Sequence, residues 1–378
     1  MKIDWLNHEF EKMIGDSGIK VPGLGVIIYK DGKEIYSKFL GSRVIETIKP
    51  VTRHTRFRAA SVSKMFTVFS IMQLVEQNKI NLDEDASKYL GFGLRNPNYP
   101  QKKITVRMLA SHTSSLRDGK IYSIPPNISL SEFFATGNHF ATEPPETFFT
   151  YCNLNYGVLG TIIEVVSGKR FDIYQRENIL SQLDMKADYL PSNLDSREFE
   201  MLGTIYQKKN PQGIWNEFGD WYAQIDDYKV QPPKDIVQLQ NPYDENFQPA
   251  YSLKDYRVGI NATIFSPQGG LRISFEELTH VLELLINNGI YRGRKVLSKS
   301  SLDTMVKSHW TFNGKNGDTC SGAVLSYGLG LYFIDGNSSS RLCKNYAVNL
   351  IGHTGQAFGL LAGLFFIPNS KTGFIYML

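Results

Sequence analysis

The run Thr55-Arg56-Phe57-Arg58-Ala59-Ala60-Ser61-Val62-Ser63-Lys64-Met65-Phe66 decides how this chain is read. It leads into a helix over residues 61–78. The early apolar positions of that helix (Met65, Phe66, Val68, Phe69, Ile71, Met72) surround it almost completely, so it is expected to be buried. Ser61 and Lys64 stand one turn apart and share a face. A helix start presents unpaired N–H groups and a positive partial charge, a setting that favours an alkoxide and the oxyanion of a tetrahedral intermediate. A lysine one turn inside a buried helix loses hydration. Its pKa falls, and a neutral amine can take the proton of Ser61. The S-x-x-K spacing is not specific by itself. Ser17-Gly18-Ile19-Lys20 also has it, but beside Gly18 and Pro22 that run reads as a loop.

Outward from this run, residues 3–15 read as an amphipathic helix, with Ile3, Leu6, Phe10 and Ile14 at helical spacing. Two β-prone segments flank Asp31-Gly32, the dipeptide of a type I′ hairpin. Residues 84–190 are mostly helical signals broken by Pro, Gly and Asn. Residues 195–260 turn polar, aromatic and weakly periodic, and read as an insertion of loops and short elements. A helix over 275–288 opens on the capping pair Ser274 and Glu277. From about residue 325 the chain is β-rich, with strands expected over 359–367 and 374–378 around the turn Pro368–Gly373. Strands at both ends with helices between predict an α+β fold: one antiparallel sheet flanked by helices, plus an all-helical lobe. The expected division is a single catalytic domain over 1–378, with an α/β lobe from about 1–60 and 265–378 and a helical lobe over about 61–190. A site is expected in the cleft between the lobes.

Composition narrows the function classes. The chain has 378 residues, 42% hydrophobic and 21% charged, with 23 Phe, 20 Tyr and 4 Trp, far too much apolar surface for a disordered chain. The net charge of +4 is spread without basic runs, which argues against a nucleic-acid groove or a polybasic membrane arm. No apolar stretch is long enough to span a membrane. The N-terminus lacks the apolar core of a signal peptide, so the expectation is a cytoplasmic protein, or one whose signal was removed before this numbering begins. Cys152, Cys320 and Cys343 are an odd set without C-x-x-C spacing, which leaves room for at most one bridge, favours free thiols and predicts no disulfide framework or zinc site. The partner expected is a small-molecule or peptide substrate. Oligomeric state is not readable from the sequence.

Two more motifs carry chemistry. Tyr151-Cys152-Asn153 follows a Pro-containing loop. A tyrosine beside a lysine ammonium has its phenolate favoured, and the asparagine amide can hold a substrate carbonyl. His353-Thr354-Gly355 leads into an apolar strand, where Gly355 permits close approach of a ligand to the strand edge. Lys371-Thr372-Gly373 is expected to be a surface turn with only five residues after it. His112 is expected to be structural, Asp83-Glu84-Asp85 a solvated helix start, and Trp215, Trp221 and Tyr222 either a substrate rim or packing of the insertion.

With these residues in place, the chain resembles the serine β-lactamase and penicillin-binding superfamily, in particular its class C-like branch of β-lactamases, DD-peptidases, D-aminopeptidases and esterases. The likeness extends to Met108-Leu109-Ala110-Ser111-His112-Thr113-Ser114-Ser115-Leu116, to Tyr151 through Gly160, to Gly269-Gly270-Leu271-Arg272-Ile273-Ser274 and to Gly352-His353-Thr354-Gly355-Gln356. S-x-x-K is paired in related enzymes with S-D-N and K-T-G; here Y-x-N and H-T-G stand in their places. The resemblance implies Ser61 as nucleophile, Lys64 as its activating partner and Tyr151 as general base. It implies that Asn153 binds the acyl-side amide and that the Ser61 and Gln356 backbone N–H groups bind the oxyanion. His353, Thr354 and Gly355 would line the substrate edge. No metal or organic cofactor is implied.

The resemblance also departs from class C β-lactamases, which usually carry Lys at the position of His353. With an ordinary pKa near 6.5, His353 predicts better binding of carboxylate substrates at low pH. The expected function is a serine hydrolase acting through an acyl-enzyme on an amide or ester, of DD-peptidase, D-peptidase or esterase type. The alternatives are a class C-type β-lactamase and a catalytically silent penicillin-binding-like sensing module. The family normally continues into a C-terminal helix. The stop at Leu378 reads as a truncation or a loss of that helix, with apolar sheet surface left uncovered by the first helix.

Overall fold

The Asp31-Gly32 hairpin forms in the expected geometry. Strands β1 (Gly23–Lys30) and β2 (Lys33–Val44) pair antiparallel, and the two turn residues have φ of +52° and +76°, both positive as a type I′ turn requires. The computed structural model describes residues 3–14, 21–239, 249–336 and 348–378. Ser17-Gly18-Ile19-Lys20 and Cys343 lie outside the described residues.

The hairpin belongs to a nine-stranded sheet completed by β3 (Lys49–Pro50), β4 (Trp310–Thr311), β5 (Ser326–Tyr327), β6 (Tyr332–Ile334), β7 (Leu350–Ala357), β8 (Leu360–Ile367) and β9 (Thr372–Met377). The strand order is β4-β5-β6-β7-β8-β9-β1-β2-β3, and every neighbouring pair is antiparallel. The two ends of the chain meet where β9 pairs with β1, Met377 opposite Gly25. This is the α+β sheet expected from strands at both ends.

Helix α1 (Ile3–Ile14) lies on β2, where Phe10 stacks on Tyr36 with ring centroids 6.2 Å apart. On the same sheet face, Leu350, Phe365, Phe374 and Tyr376 line an apolar cleft of about 400 Å³ that α1 does not cover. The opposite face is covered by helix α4, Phe275–Ile286, which packs on β8, β9 and β1. Its capping box forms as expected, Ser274 with Glu277. Glu277 also pairs with the buried Arg56 guanidinium, which ties α4 to the strand leading into the Ser61 turn. Such a pair is costly to break from one side, because the survivor is a buried charge.

Between the two β-rich ends, α2 (Ser63–Glu76) and α3 (Leu154–Ser167) pack together. Every residue of α2 from Ser63 to Leu74 is buried. The expected helix over 61–78 is shorter than read: a 3-10 turn at Ala60–Val62 precedes it, and Ser61 sits in that turn. The rest of 84–190 is helical in short pieces, including Ala86–Leu90, Val106–Ala110 and Leu130–Ala135. Residues 195–260 contain a one-turn helix (Ser196–Glu200), a hairpin of Ile205–Lys209 with Asp220–Ile225, and a pair of Ile236–Gln238 with Ala250–Ser252. Among the described residues no helix is long and apolar enough to cross a membrane.

Candidate active site

The Ser61 turn is wedged between the start of α2 and the free edge of β7. Strand β6 pairs with β7 only at residues 350–352, so residues 353–357 face the Ala60–Val62 turn instead. Gly355 is what lets them meet. A Cβ there would lie 2.4 Å from the Ala59 carbonyl oxygen, well inside contact distance. The closeness expected of Gly355 is therefore to the nucleophile turn itself. Ala60, just before Ser61, has φ +46°, a left-handed conformation that non-glycine residues rarely hold and that marks local strain.

Lys64 is completely buried. Its Nζ donates to Ser61 Oγ at 3.0 Å, to Asn153 Oδ1 at 2.8 Å and to the Gln268 carbonyl at 3.1 Å. Three oxygens surround it, none of them a carboxylate: the ammonium donates to all three, and the neutral amine donates to two and accepts from the Ser61 hydroxyl. Loss of hydration outweighs the upward pull of nearby Asp118 and brings its pKa down to about 7. Lys64 Nζ also lies 4.8 Å from the Tyr151 ring centroid. The Ser61 and Tyr332 side chains lie close enough to the Tyr151 hydroxyl to act on its pKa. Burial drives it well above the usual phenol value, reinforced by Tyr332. This corrects the expected phenolate. The same desolvation acts on both groups and favours a neutral amine beside a neutral phenol.

Asn153 spans the gap between lysine and carboxylate. Its Oδ1 accepts from Lys64, and its Nδ2 donates to Asp118 Oδ2 at 2.9 Å. Asp118 Oδ1 accepts from Leu154 N–H at 2.8 Å and from the Cys152 thiol at 3.2 Å, so one carboxylate holds the start of α3 and two motif side chains. Cys152 is unbridged and buried. Asp118 was not singled out from the sequence. The signal was its place two residues after the Met108–Leu116 phrase, which carries the chain to the start of α3. Tyr332 and Gln268 were likewise not read as site residues; each reaches the site through the fold alone.

His112 grips the backbone on both sides of Tyr151. Its carbonyl accepts from Thr150 N–H at 2.9 Å and its Nδ1 from Cys152 N–H at 3.1 Å, while its ring lies 4.5 Å from that of Tyr151. An Nδ1 that accepts leaves the ring proton on Nε2. The residue positions Tyr151 and does not reach Ser61 through any of these contacts.

His353 stands differently from its expected role. Its side chain is completely buried and lies against Tyr332, with ring centroids 4.2 Å apart. Nε2 faces the Tyr327 hydroxyl at 3.0 Å, and Nδ1 faces the Thr354 carbonyl. Burial, with Lys64 nearby, pushes its pKa down to about 3. It is neutral throughout the physiological range, so the expected titrating cation for substrate carboxylates is absent. Strand alternation puts Thr354 on the other side, where its Oγ1 donates to the Tyr332 hydroxyl at 3.3 Å. Gln356 is exposed at the end of β7. Lys371-Thr372-Gly373 closes the β8–β9 turn, at the far end of β8 from this site, with the Lys371 carbonyl accepting from Gly32 N–H at 2.8 Å. Among the described residues no group of three or more His, Cys, Asp or Glu side chains is placed to hold a metal ion.

The two buried histidines make an acid-stability prediction. Each has a folded pKa below its unfolded value near 6.5, and His353 reaches about 3. Between these values the unfolded chain binds the extra protons, so stability rises with pH across the window and falls on acidification. One such group contributes a slope of about 1.4 kcal/mol per pH unit. Going from pH 6.5 to 5, His353 alone should remove about 2 kcal/mol. Urea unfolding of His353→Gln against the unsubstituted chain at pH 7 and pH 5 checks this: the difference in their stabilities should narrow at pH 5. An unchanged difference would contradict the buried neutral imidazole.

Comparison with known proteins matches this geometry to a family. A family model described as Beta-lactamase matches residues 10–378. The chain is 25% identical over 213 residues to Protein flp of Staphylococcus aureus (strain MRSA252), covering 53% of this chain and 41% of that protein. It is 27% identical over 202 residues to Penicillin-binding protein 4 of Amycolatopsis lactamdurans, covering 52% of each. The matches thus span about half or less of the length of these relatives. The fold superposes with TM-score 0.70 on the octameric penicillin-binding protein homologue from Pyrococcus abyssi, at 24% identity over 100% of this chain and 73% of the other. It superposes with TM-score 0.68 on a class C beta-lactamase, at 17% identity over 99% of this chain and 89% of the other. With a family match over nearly its whole length and the same α+β fold, this chain belongs to the Beta-lactamase family, a family of serine hydrolases.

Proposed function

We propose that this protein is a serine hydrolase that forms an acyl-enzyme at Ser61 on an ester or amide, as a DD-peptidase, D-peptidase or esterase does. The observation that carries the reading is the hydrogen bond of 3.0 Å between Ser61 Oγ and a buried Lys64 with a pKa of about 7. A base poised near the working pH is the effective one for proton transfer. In acylation the neutral Lys64 takes the Ser61 proton as Oγ attacks the carbonyl carbon. The backbone N–H groups of Ser61 and Gln356 hold the resulting oxyanion. Tyr151, still protonated, gives its proton to the leaving nitrogen or oxygen as that bond breaks, and recovers a proton from Lys64. In deacylation the same pair takes a proton from the attacking water and returns one to Ser61. Asn153, with one amide hydrogen beyond its bond to Asp118, binds the acyl-side carbonyl.

The neutral His353 supports neutral esters and amides over penicillins and over peptides with a free C-terminal carboxylate, since it supplies no cation for either. The test is mass spectrometry of the intact chain after incubation with an activated ester and, separately, with a fluorescent penicillin. Acylation by the ester with little penicillin turnover supports the reading. Rapid penicillin turnover would put a β-lactamase first, and no adduct with either would leave a silent module.

The pH profile tests the base. The rate constant kcat/KM for p-nitrophenyl acetate should rise up to about tenfold per unit below pH 7 as Lys64 loses its proton, and level off above it. No fall is expected up to pH 9, because Tyr151 ionises only well above its ordinary value. A profile without the rise near pH 7 would remove Lys64 as the base.

A further inference from the structure

The lone pair of the neutral Lys64 is the base of acylation, and its direction is set two hydrogen bonds away, beyond Asn153. A neutral amine has two N–H bonds and one lone pair. Around Nζ stand the Gln268 carbonyl, Asn153 Oδ1 and Ser61 Oγ. The lone pair reaches Ser61 when the other two neighbours both accept. The Gln268 carbonyl belongs to the backbone and is always an acceptor. The Asn153 amide is not fixed in this way. Turned over, it would offer its NH2 group, and a neutral amine can accept from that group. The lone pair would then be occupied, and Ser61 would receive an N–H instead of giving up its proton.

Asp118 forbids the turned-over amide. Its Oδ2 accepts from Asn153 Nδ2 at 2.9 Å, while its Oδ1 accepts from the Leu154 N–H at 2.8 Å and from the Cys152 thiol at 3.2 Å. A carboxylate only accepts, so an amide oxygen turned toward it would meet an acceptor and lose a buried bond. An ammonium at Lys64 also rejects the turned-over amide, because it only donates. Once Lys64 is the working neutral amine that restraint is gone, and Asp118 holds the amide by itself. Asn153 is the N-cap residue of α3, yet its side chain caps nothing, which leaves it free for this bridge. The other titratable groups around Lys64 are held neutral by burial: the Tyr151 and Tyr156 phenols, the Cys152 thiol and the His112 and His353 imidazoles. Among the described residues Asp118 is the carboxylate that acts on Lys64, and it favours the ammonium.

We propose that Asp118 is a positioning residue of the acyl transfer, a carboxylate that keeps the Asn153 oxygen on Lys64 and thereby leaves the amine lone pair to Ser61. The proposal rests on the acyl-enzyme reading of Ser61.

Asp118→Asn tests it. An asparagine at 118 that keeps its oxygen on the Leu154 N–H turns its own NH2 toward Asn153, and the Asn153 amide must turn over to meet it. With p-nitrophenyl acetate, the high-pH plateau of kcat/KM should fall about ten- to hundredfold, the scale of one mismatched buried hydrogen bond. The midpoint of the rise should also move about one unit below pH 7, because the anion that favours the Lys64 ammonium is gone. A residue that merely braces the fold would lower the rate and leave the midpoint in place, so a fall at an unmoved midpoint overturns the proposal. An unchanged plateau overturns it too. A second variant carries Asp118→Asn and Asn153→Asp together. It matches every donor to an acceptor again, so it should recover the stability to urea that Asp118→Asn loses. A carboxylate then touches Lys64 directly, and the midpoint should rise above 7. The midpoint is also read without turnover, from the Cε resonance of Lys64 in isotope-labelled protein, identified by its absence in Lys64→Ala. If no ester turns over and this resonance titrates near pH 7 in the unsubstituted chain, below 7 in Asp118→Asn and above 7 in the double variant, the hydrolase reading fails and the placement by Asp118 stands. If the three midpoints coincide, Asp118 does not act on Lys64 and the proposal fails.

Discussion

Ser61→Ala should abolish covalent labelling by an activated ester or a fluorophosphonate, and Lys64→Ala should lower kcat/KM about 10²–10⁴-fold, the usual scale for a positioned proton-transfer group. Both effects have one cause. Lys64 has three oxygens around its Nζ, and Ser61 Oγ is the one that carries a transferable proton toward the substrate. Alanine at 64 removes the base and also leaves the Asn153 amide and the Gln268 carbonyl without their buried donor, so the variant should lose stability as well as rate. Tyr151→Phe separates the two. It keeps the ring against His112 and removes only the hydroxyl, so it should cost rate on the same 10²–10⁴ scale with little change in stability. Steady-state kinetics on a neutral ester, with urea unfolding of each variant, measures both. Stoichiometric labelling of Ser61→Ala would sink the nucleophile assignment. Near-normal turnover by Tyr151→Phe would sink the proton route. Ser17→Ala, in the second S-x-x-K run, should label normally.

Gly355→Ala is expected to lower kcat/KM by about 10² or more, although alanine is the smallest change available and touches no proposed proton-transfer group. The new Cβ would lie 2.4 Å from the Ala59 carbonyl oxygen, and it would face the Ala362 side chain at 3.3 Å. Neither the turn nor the strand can accept it in place. The edge of β7 must move away from the Ser61 turn, and with it the Gln356 N–H proposed for the oxyanion. A displacement near 1 Å is enough to cost about two orders of magnitude in rate. Gly93→Ala is the matched control, because a Cβ there meets nothing within 4 Å. If Gly355→Ala kept full activity, the contact between β7 and the nucleophile turn would not be what aligns the site.

The local elements were legible because each has a short-range cause. Asp31-Gly32 requires two positive φ values and has them. Ser274 and Glu277 form a capping box within one turn. The apolar surround of residues 65–74 reports a buried helix, and from that burial follow both the neutral lysine and its partner Ser61. Even here the start of the helix was misplaced. The Ala60–Val62 turn is held in its strained form by the loop and strand packed against it, which no local preference encodes.

What the sequence determined by itself was the set of motifs, the sheet built from both ends of the chain and the pairing of Ser61 with Lys64, because periodicity, turn chemistry and one-turn spacing are properties of neighbouring residues. Only the tertiary structure decided which groups carry charge. Desolvation depends on what covers a side chain from elsewhere in the chain. His353 looked like a titrating cation in sequence, and beneath Tyr327 and Tyr332 it is a neutral imidazole with a pKa near 3. Tyr151 looked like a phenolate, and burial holds its proton on. Asp118 did not stand out in the sequence, yet it is the carboxylate that fixes Asn153, because a contact across 35 positions leaves no periodic trace.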